Sequence, residues 1–231
     1  MLDRPFMEFP MSDAVSAQSI DVQITTPDVT LPGNLDVPEG ATGLVVFAHG
    51  SGSSRFSSRN RAVAESLQGR GLATLLFDLL TEEEDEIDRK TRAIRFDVKM
   101  LGQRLAEVVD WVHQRDHLCA LPLGLFGAST GAAAALIAAA ARPDCVRVIV
   151  SRGGRPDLAE DSLPRVQAPT LLLVGGLDTS VIEMNRTAAE HMTCENKLEI
   201  VDGASHLFEE PGKLEEVSKR AGEWFTRKLA E

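Results

Sequence analysis

Cysteine is scarce in this 231-residue chain, and its three occurrences do not pair by spacing. Cys119, Cys145 and Cys194 are odd in number and far apart, which excludes a disulfide framework or a zinc-binding cysteine pair and leaves reduced thiols as the expectation. Basic residues are also short: 24 Lys and Arg against 35 Asp and Glu give a formal net charge of -11. A nucleic-acid surface needs a basic stripe, so nucleic acid is excluded as a main partner. No uninterrupted apolar run reaches the roughly 18 residues that suggest a membrane span. Residues 1–18 hold acids and prolines where a signal peptide needs an apolar centre, so they read as a flexible leader and the protein is expected in the cytoplasm. Two phosphate-binding signatures are missing as well. No G-x-G-x-x-G follows the first parallel strand and no G-x-x-x-x-G-K-[ST] occurs, which argues against a nucleotide-binding domain.

What is present is ordinary globular material, with 43% hydrophobic and 26% charged residues. There is no internal repeat, linker or shift in composition, so residues 19–231 are expected to form a single domain. Residues 19–26 alternate as a strand, and residues 29–37 follow as its antiparallel partner, interrupted by Pro32-Gly33 and so expected near a sheet edge. From residue 43 onward, apolar runs alternate with amphipathic stretches. The runs at 43–48, 72–77, 121–126, 146–150, 170–174 and 197–201 read as buried strands. Residues 61–69, about 91–114, 132–141, 181–191 and 214–229 read as helices, with the acidic run 81–88 as a solvated loop before the longest of them. Alternation of this kind predicts a mainly parallel sheet with helices on both faces.

The most informative stretch is residues 121–141. A short apolar strand meets Gly127-Ala128-Ser129-Thr130-Gly131 and then a helix built almost wholly of Ala, Leu and Ile. G-x-S-x-G between strand and helix is the pattern of a sharp turn that carries a nucleophilic serine at a helix N-terminus. In open parallel sheets, functional groups collect beyond the carboxyl ends of strands. Two later strand ends lead to Asp178, through Gly175-Gly176-Leu177, and to His206, through Gly203-Ala204-Ser205.

Ser, Asp and His in that order, together with Phe47-Ala48-His49-Gly50, resemble the α/β-hydrolase superfamily over about residues 19–229. The resemblance is nearest to its small dienelactone-hydrolase-like members. It implies an α/β-hydrolase fold with a mainly parallel eight-stranded sheet and little or no cap, since only about twenty residues separate Val150 from Thr170. It implies Ser129 as nucleophile, His206 as base and Asp178 as the acid that orients it. Asp202, Asp157 and Asp161 are rivals for the acid; Asp178 alone ends a long apolar strand through a Gly-Gly loop. His113, His117 and His191 lie on or beside helices and are expected to face solvent, while the resemblance gives His49 a structural role. The backbone N–H of Thr130, with that of Ser51 or else of Gly50, would form the oxyanion hole.

Arg55, Arg59, Arg152 and Arg155 fall in or just after strand-end loops. Dienelactone hydrolases use arginines to hold a substrate carboxylate, so Arg55 and Arg152 are candidates for binding an anionic substrate. The alternative is that these arginines pair with the chain's own surplus of acids. True dienelactone hydrolases carry a cysteine where this chain has Ser129, a departure that favours ester over lactone hydrolysis. The expectation is a carboxylester hydrolase for small acyl substrates, with no metal or organic cofactor. Lactone, thioester or amide hydrolysis and perhydrolysis are alternatives on the same groups, and a non-catalytic binding protein is the alternative from another class.

Overall fold

The computed structural model describes residues 19–231, so the expected leader at 1–18 lies outside the described residues. Eight strands form one sheet: β1 (Ile20–Thr25), β2 (Thr30–Asp36), β3 (Leu44–Ala48), β4 (Ala73–Phe77), β5 (Leu123–Ala128), β6 (Val146–Arg152), β7 (Thr170–Gly175) and β8 (Asn196–Val201). Their spatial order is β1-β2-β4-β3-β5-β6-β7-β8. The six strands from β3 to β8 run parallel, whereas β2 is antiparallel to both β1 and β4.

Helices cover both faces, as the alternation predicts. On one side lie α1 (Ser58–Gln68) and α6 (Lys213–Leu229), packed on Val45, Phe47, Phe126, Val148 and Leu171. On the other lie α3 (Val98–His113) and α4 (Thr130–Ala141), packed on Leu44, Val46, Leu75, Leu125 and Ile149. Successive strand residues point to opposite faces, so a strand covered on both sides is mostly apolar, and β3, β4, β5 and β7 are buried at every position. Each large side chain fully buried there contributes roughly 1.5–3 kcal/mol. The Ala-rich α4 lets α3 approach closely: a Cβ on Gly102 of α3 would stand 2.5 Å from Ile137 Cγ2.

β2 lies near the sheet edge as expected, with β1 alone outside it. Pro32 is tolerated because the pairing of β2 with β4 starts one residue later, at Gly33 opposite Phe77, so no N–H is missing from that ladder. Two expectations need correction. The acidic run is not a loop. It forms α2 (Glu82–Thr91), capped by a reciprocal Thr81–Glu84 box. Four acids sit in its first turn and Arg89 and Lys90 in its last, matching the helix dipole at both ends. Arg104 of α3 then grips Glu84 at 2.6 and 2.8 Å. Arg92, at φ 57, ends α2, and Asp97 caps a separate α3, so the long helix expected from about residue 91 to residue 114 begins only at Val98.

Between β6 and β7 there is only a 3-10 segment, Pro156–Arg165, and the last intervening helix is α5 (Thr179–His191). Among the described residues no helix is long and apolar enough to cross a membrane, and no group of three or more His, Cys, Asp or Glu is placed to hold a metal.

Candidate active site

Ser129 stands between β5 and α4 with φ 51 and ψ -122, a conformation a non-glycine residue seldom adopts. Holding it there costs about 1–3 kcal/mol, which the surroundings must offset. Its N–H donates to Arg152 O at 3.2 Å, and its carbonyl accepts from Ala132 N–H at 3.1 Å and Arg155 N–H at 3.0 Å. The two motif glycines are required by close approach. A Cβ on Gly127 would sit 2.4 Å from Ala132 Cα, and one on Gly131 would sit 2.2 Å from Ala48 O. Ser129 makes no side-chain cap of α4, so its hydroxyl is not diverted to the backbone.

Asp178 and His206 meet although 28 residues separate them: Asp178 Oδ2 lies 2.6 Å from His206 Nδ1. The β7 and β8 ends bring them together, since Leu177 N–H donates to Ala204 O and Gly176 N–H to Val201 O. Asp178 is largely buried and His206 40% exposed, so the imidazole keeps an open side. With Nδ1 facing the carboxylate, Nε2 is the nitrogen left to take a proton. The other candidate acids are placed elsewhere: Asp157 is bound by Arg155, and Asp202 is exposed. The remaining histidines fall as expected, with His113, His117 and His191 exposed. His49 is buried between Gly50 O at 2.9 Å and Leu79 N–H at 3.0 Å, and burial pushes its pKa down.

The two expected oxyanion donors are adjacent, but one is engaged. Ser51 N–H donates to Thr130 Oγ1 at 2.9 Å. Both residues line a cavity of about 910 Å³ that extends past Arg55, Phe56 and Asp78 to the start of α2. Ser129, Asp178 and His206 do not line it, so the cavity adjoins the donor side of the site. Helix α2 forms one of its walls; the capping box around Thr81 was the sequence signal for a helix there.

The four arginines separate clearly. Arg55 is ion-paired with Asp78 and stacks over Phe56 at 4.1 Å. Arg59 reaches Glu209 at 3.1 Å, and Arg155 reaches Asp157 at 2.7 Å. Arg152 is different. It is 8% exposed, its Nη1 has no partner, and no ion pair reaches it among the described residues. Burial, with the nearby charge of Arg59, pushes its pKa down to about 10. Its guanidinium lies 5.8 Å from the Phe126 ring.

A family model described as an alpha/beta hydrolase domain matches residues 41–224. A dienelactone hydrolase from Anabaena variabilis is 56% identical and superposes with a TM-score of 0.90, covering 92% of this chain and 98% of that one. An esterase from Pyrococcus furiosus shares the fold at 21% identity and a TM-score of 0.75, over 93% and 94% of the two chains. A Mycobacterium tuberculosis protein that carries a phosphoribosyl transferase name is 52% identical over 97% of this chain and 51% of its own length. The chain thus spans about half the length of the curated relatives it matches.

Proposed function

The chain belongs to the α/β-hydrolase family, with a dienelactone-hydrolase-like fold, and from that premise we propose that it is a serine hydrolase of small carboxylic esters. The observation that supports this reading best is the 2.6 Å contact of Asp178 with His206, together with a serine held in a strained elbow at the end of β5. In the proposed reaction Ser129 Oγ attacks the ester carbonyl carbon while His206 Nε2 takes the hydroxyl proton. Asp178 holds the tautomer and stabilises the imidazolium. The carbonyl oxygen becomes an oxyanion received by the N–H groups of Ser51 and Thr130, each worth about 3 kcal/mol in the transition state. To reach Ser51 N–H it displaces the Thr130 hydroxyl bound there. The bond to the alcohol then breaks as His206 returns the proton to the leaving oxygen. Water, deprotonated by the same base, clears the acyl group from Ser129.

A second reading concerns the substrate. Arg152 is a buried cation with no carboxylate partner, an expensive arrangement in an isolated protein. That favours an ester with an anionic substituent, held by Arg152 rather than by the already paired Arg55. The phosphoribosyl transferase name of the longer relative gives no reason to change this reading. The match covers about half of that protein, so its name is not carried over to this chain.

The deciding experiment is labelling by a fluorophosphonate probe beside an ester, lactone, thioester and amide panel, on wild type and Ser129→Ala. Wild type should be labelled and should turn over esters fastest, and Ser129→Ala should do neither. Absence of labelling in wild type would leave a non-catalytic binding protein as the better account. A faster lactone, thioester or amide would change the substrate class and keep the chemistry.

A further inference from the structure

We infer that Asn185 is a positioning residue of this site: its side-chain amide holds the turn that grips Ser129 and underlies His206. The inference rests on the serine-hydrolase reading and adds a residue to it.

Ser129 is held from both backbone ends by one short segment. Arg152 O accepts its N–H at 3.2 Å, and Arg155 N–H donates to its carbonyl at 3.0 Å. Between these two clamps the chain turns at Gly153, with φ 51, whose N–H is tied to Leu173 O at 2.7 Å. A Cβ on Gly153 would lie 3.1 Å from His206 O and 3.5 Å from His206 Cε1, so this turn is also the floor beneath the imidazole. Gly154 comes next and is pressed against the elbow. A Cβ there would be 1.9 Å from Ser151 Oγ and 2.5 Å from Ala132 Cβ.

The turn is held from behind by a single side chain. Asn185, completely buried on α5, donates from Nδ2 to Gly154 O at 2.9 Å and to Val181 O at 2.8 Å. Its helix begins directly after Asp178. One amide therefore links the helix that starts at the acid to the turn that fixes the serine and supports the histidine.

The choice of residue points the same way. An aliphatic side chain would fill a buried helix position at less cost, because Asn185 Oδ1 finds no partner, nor does the neighbouring Ser151 Oγ. A buried amide with half of its capacity unmet is poor design for stability alone and a good one for fixing a carbonyl.

The test uses Asn185→Leu, alike in branching but larger and without the donor, and Asn185→Ala. Fluorophosphonate titration counts competent sites, so kcat can be expressed per site beside KM for a small neutral ester and beside thermal unfolding. The expected result is a folded variant whose kcat per titrated site and labelling rate both fall about 10–100-fold, with KM little changed. A residue with only a structural role would lower the melting temperature or the count of competent sites and leave kcat per site at the wild-type value; that outcome overturns the inference. If Asn185→Leu does not fold, Asn185→Ala is judged by the same per-site measure, and failure of both to fold also counts against a positioning role. A wild type that is labelled while both variants match it sinks this inference alone. A wild type that is never labelled sinks the hydrolase reading first.

Discussion

The backbone N–H of Ser51 donates to the Thr130 hydroxyl at 2.9 Å, joining two residues 79 apart in the chain. The bond fixes the loop after β3 against the start of α4. It also occupies the group proposed to receive the oxyanion. Thr130→Val keeps the shape and removes the acceptor, and one net hydrogen bond is worth about 1 kcal/mol. Because the oxyanion must displace this hydroxyl, the variant should gain up to about five-fold in kcat, with Thr130→Ser close to wild type. Steady-state kinetics on one neutral ester checks this, and equal activity in all three proteins would remove the hydroxyl from the account.

The contact of Asp178 with His206 leads to a second expectation. Asp178→Asn preserves the size of the side chain and offers the wrong tautomer to the base, so kcat should drop by on the order of 10⁴. Asp202→Asn should be near neutral, since Asp202 is exposed. Turnover of a chromogenic ester by the two variants settles the comparison, and a reversed order would move the acid to Asp202.

Arg152 sets stability against binding. A buried, unpaired cation destabilises the resting protein, so Arg152→Met should melt higher, by roughly 2–4 °C for each kcal/mol regained. The same variant should lose at least about ten-fold in kcat/KM on a carboxylate-bearing ester relative to its neutral analogue, an amount typical of one desolvated charge-assisted contact. Calorimetry and paired substrate kinetics read the two effects separately. Equal losses on both esters would end the anionic-substrate reading.

Acid should loosen α2. Hydrogen bonds from Arg104 hold the Glu84 carboxyl below its ordinary value of 4.5, outweighing burial, which acts in the opposite direction. A depressed folded pKa means that the contribution to stability is fully present above the unfolded value and is lost as the pH falls through the folded one. Going from about pH 5 to about pH 3, amide exchange in residues 82–91 should therefore rise ahead of exchange in β5 and α4. Arg104→Met should bring the same rise at neutral pH, and uniform exchange at both pH values would contradict the anchor.

The mistaken and correct expectations differ in the range of the interactions behind them. The mostly apolar runs at β3, β4, β5 and β7 were legible because a strand covered on both faces has few positions for a polar residue. The acidic run was misread because composition suggests solvation, whereas the helix there depends on a local cap and on Arg104, 20 residues away. Pro32 placed β2 near an edge, correctly, because a proline lacks a donor, but which strand borders β2, and where their ladder begins, is a matter of tertiary register.

For the site, the residues alone determined that a serine stands in a glycine-flanked turn and that an acid and a histidine follow at later strand ends. Those are local consequences of sterics and strand periodicity. Tertiary structure decided the rest. It set which carboxylate meets His206, that Arg55, Arg59 and Arg155 are paired while Arg152 is not, and that Asn185 binds the turn that holds Ser129. Ion pairs and side-chain hydrogen bonds between distant segments depend on how the sheet is ordered, and one-dimensional spacing carries no record of that order.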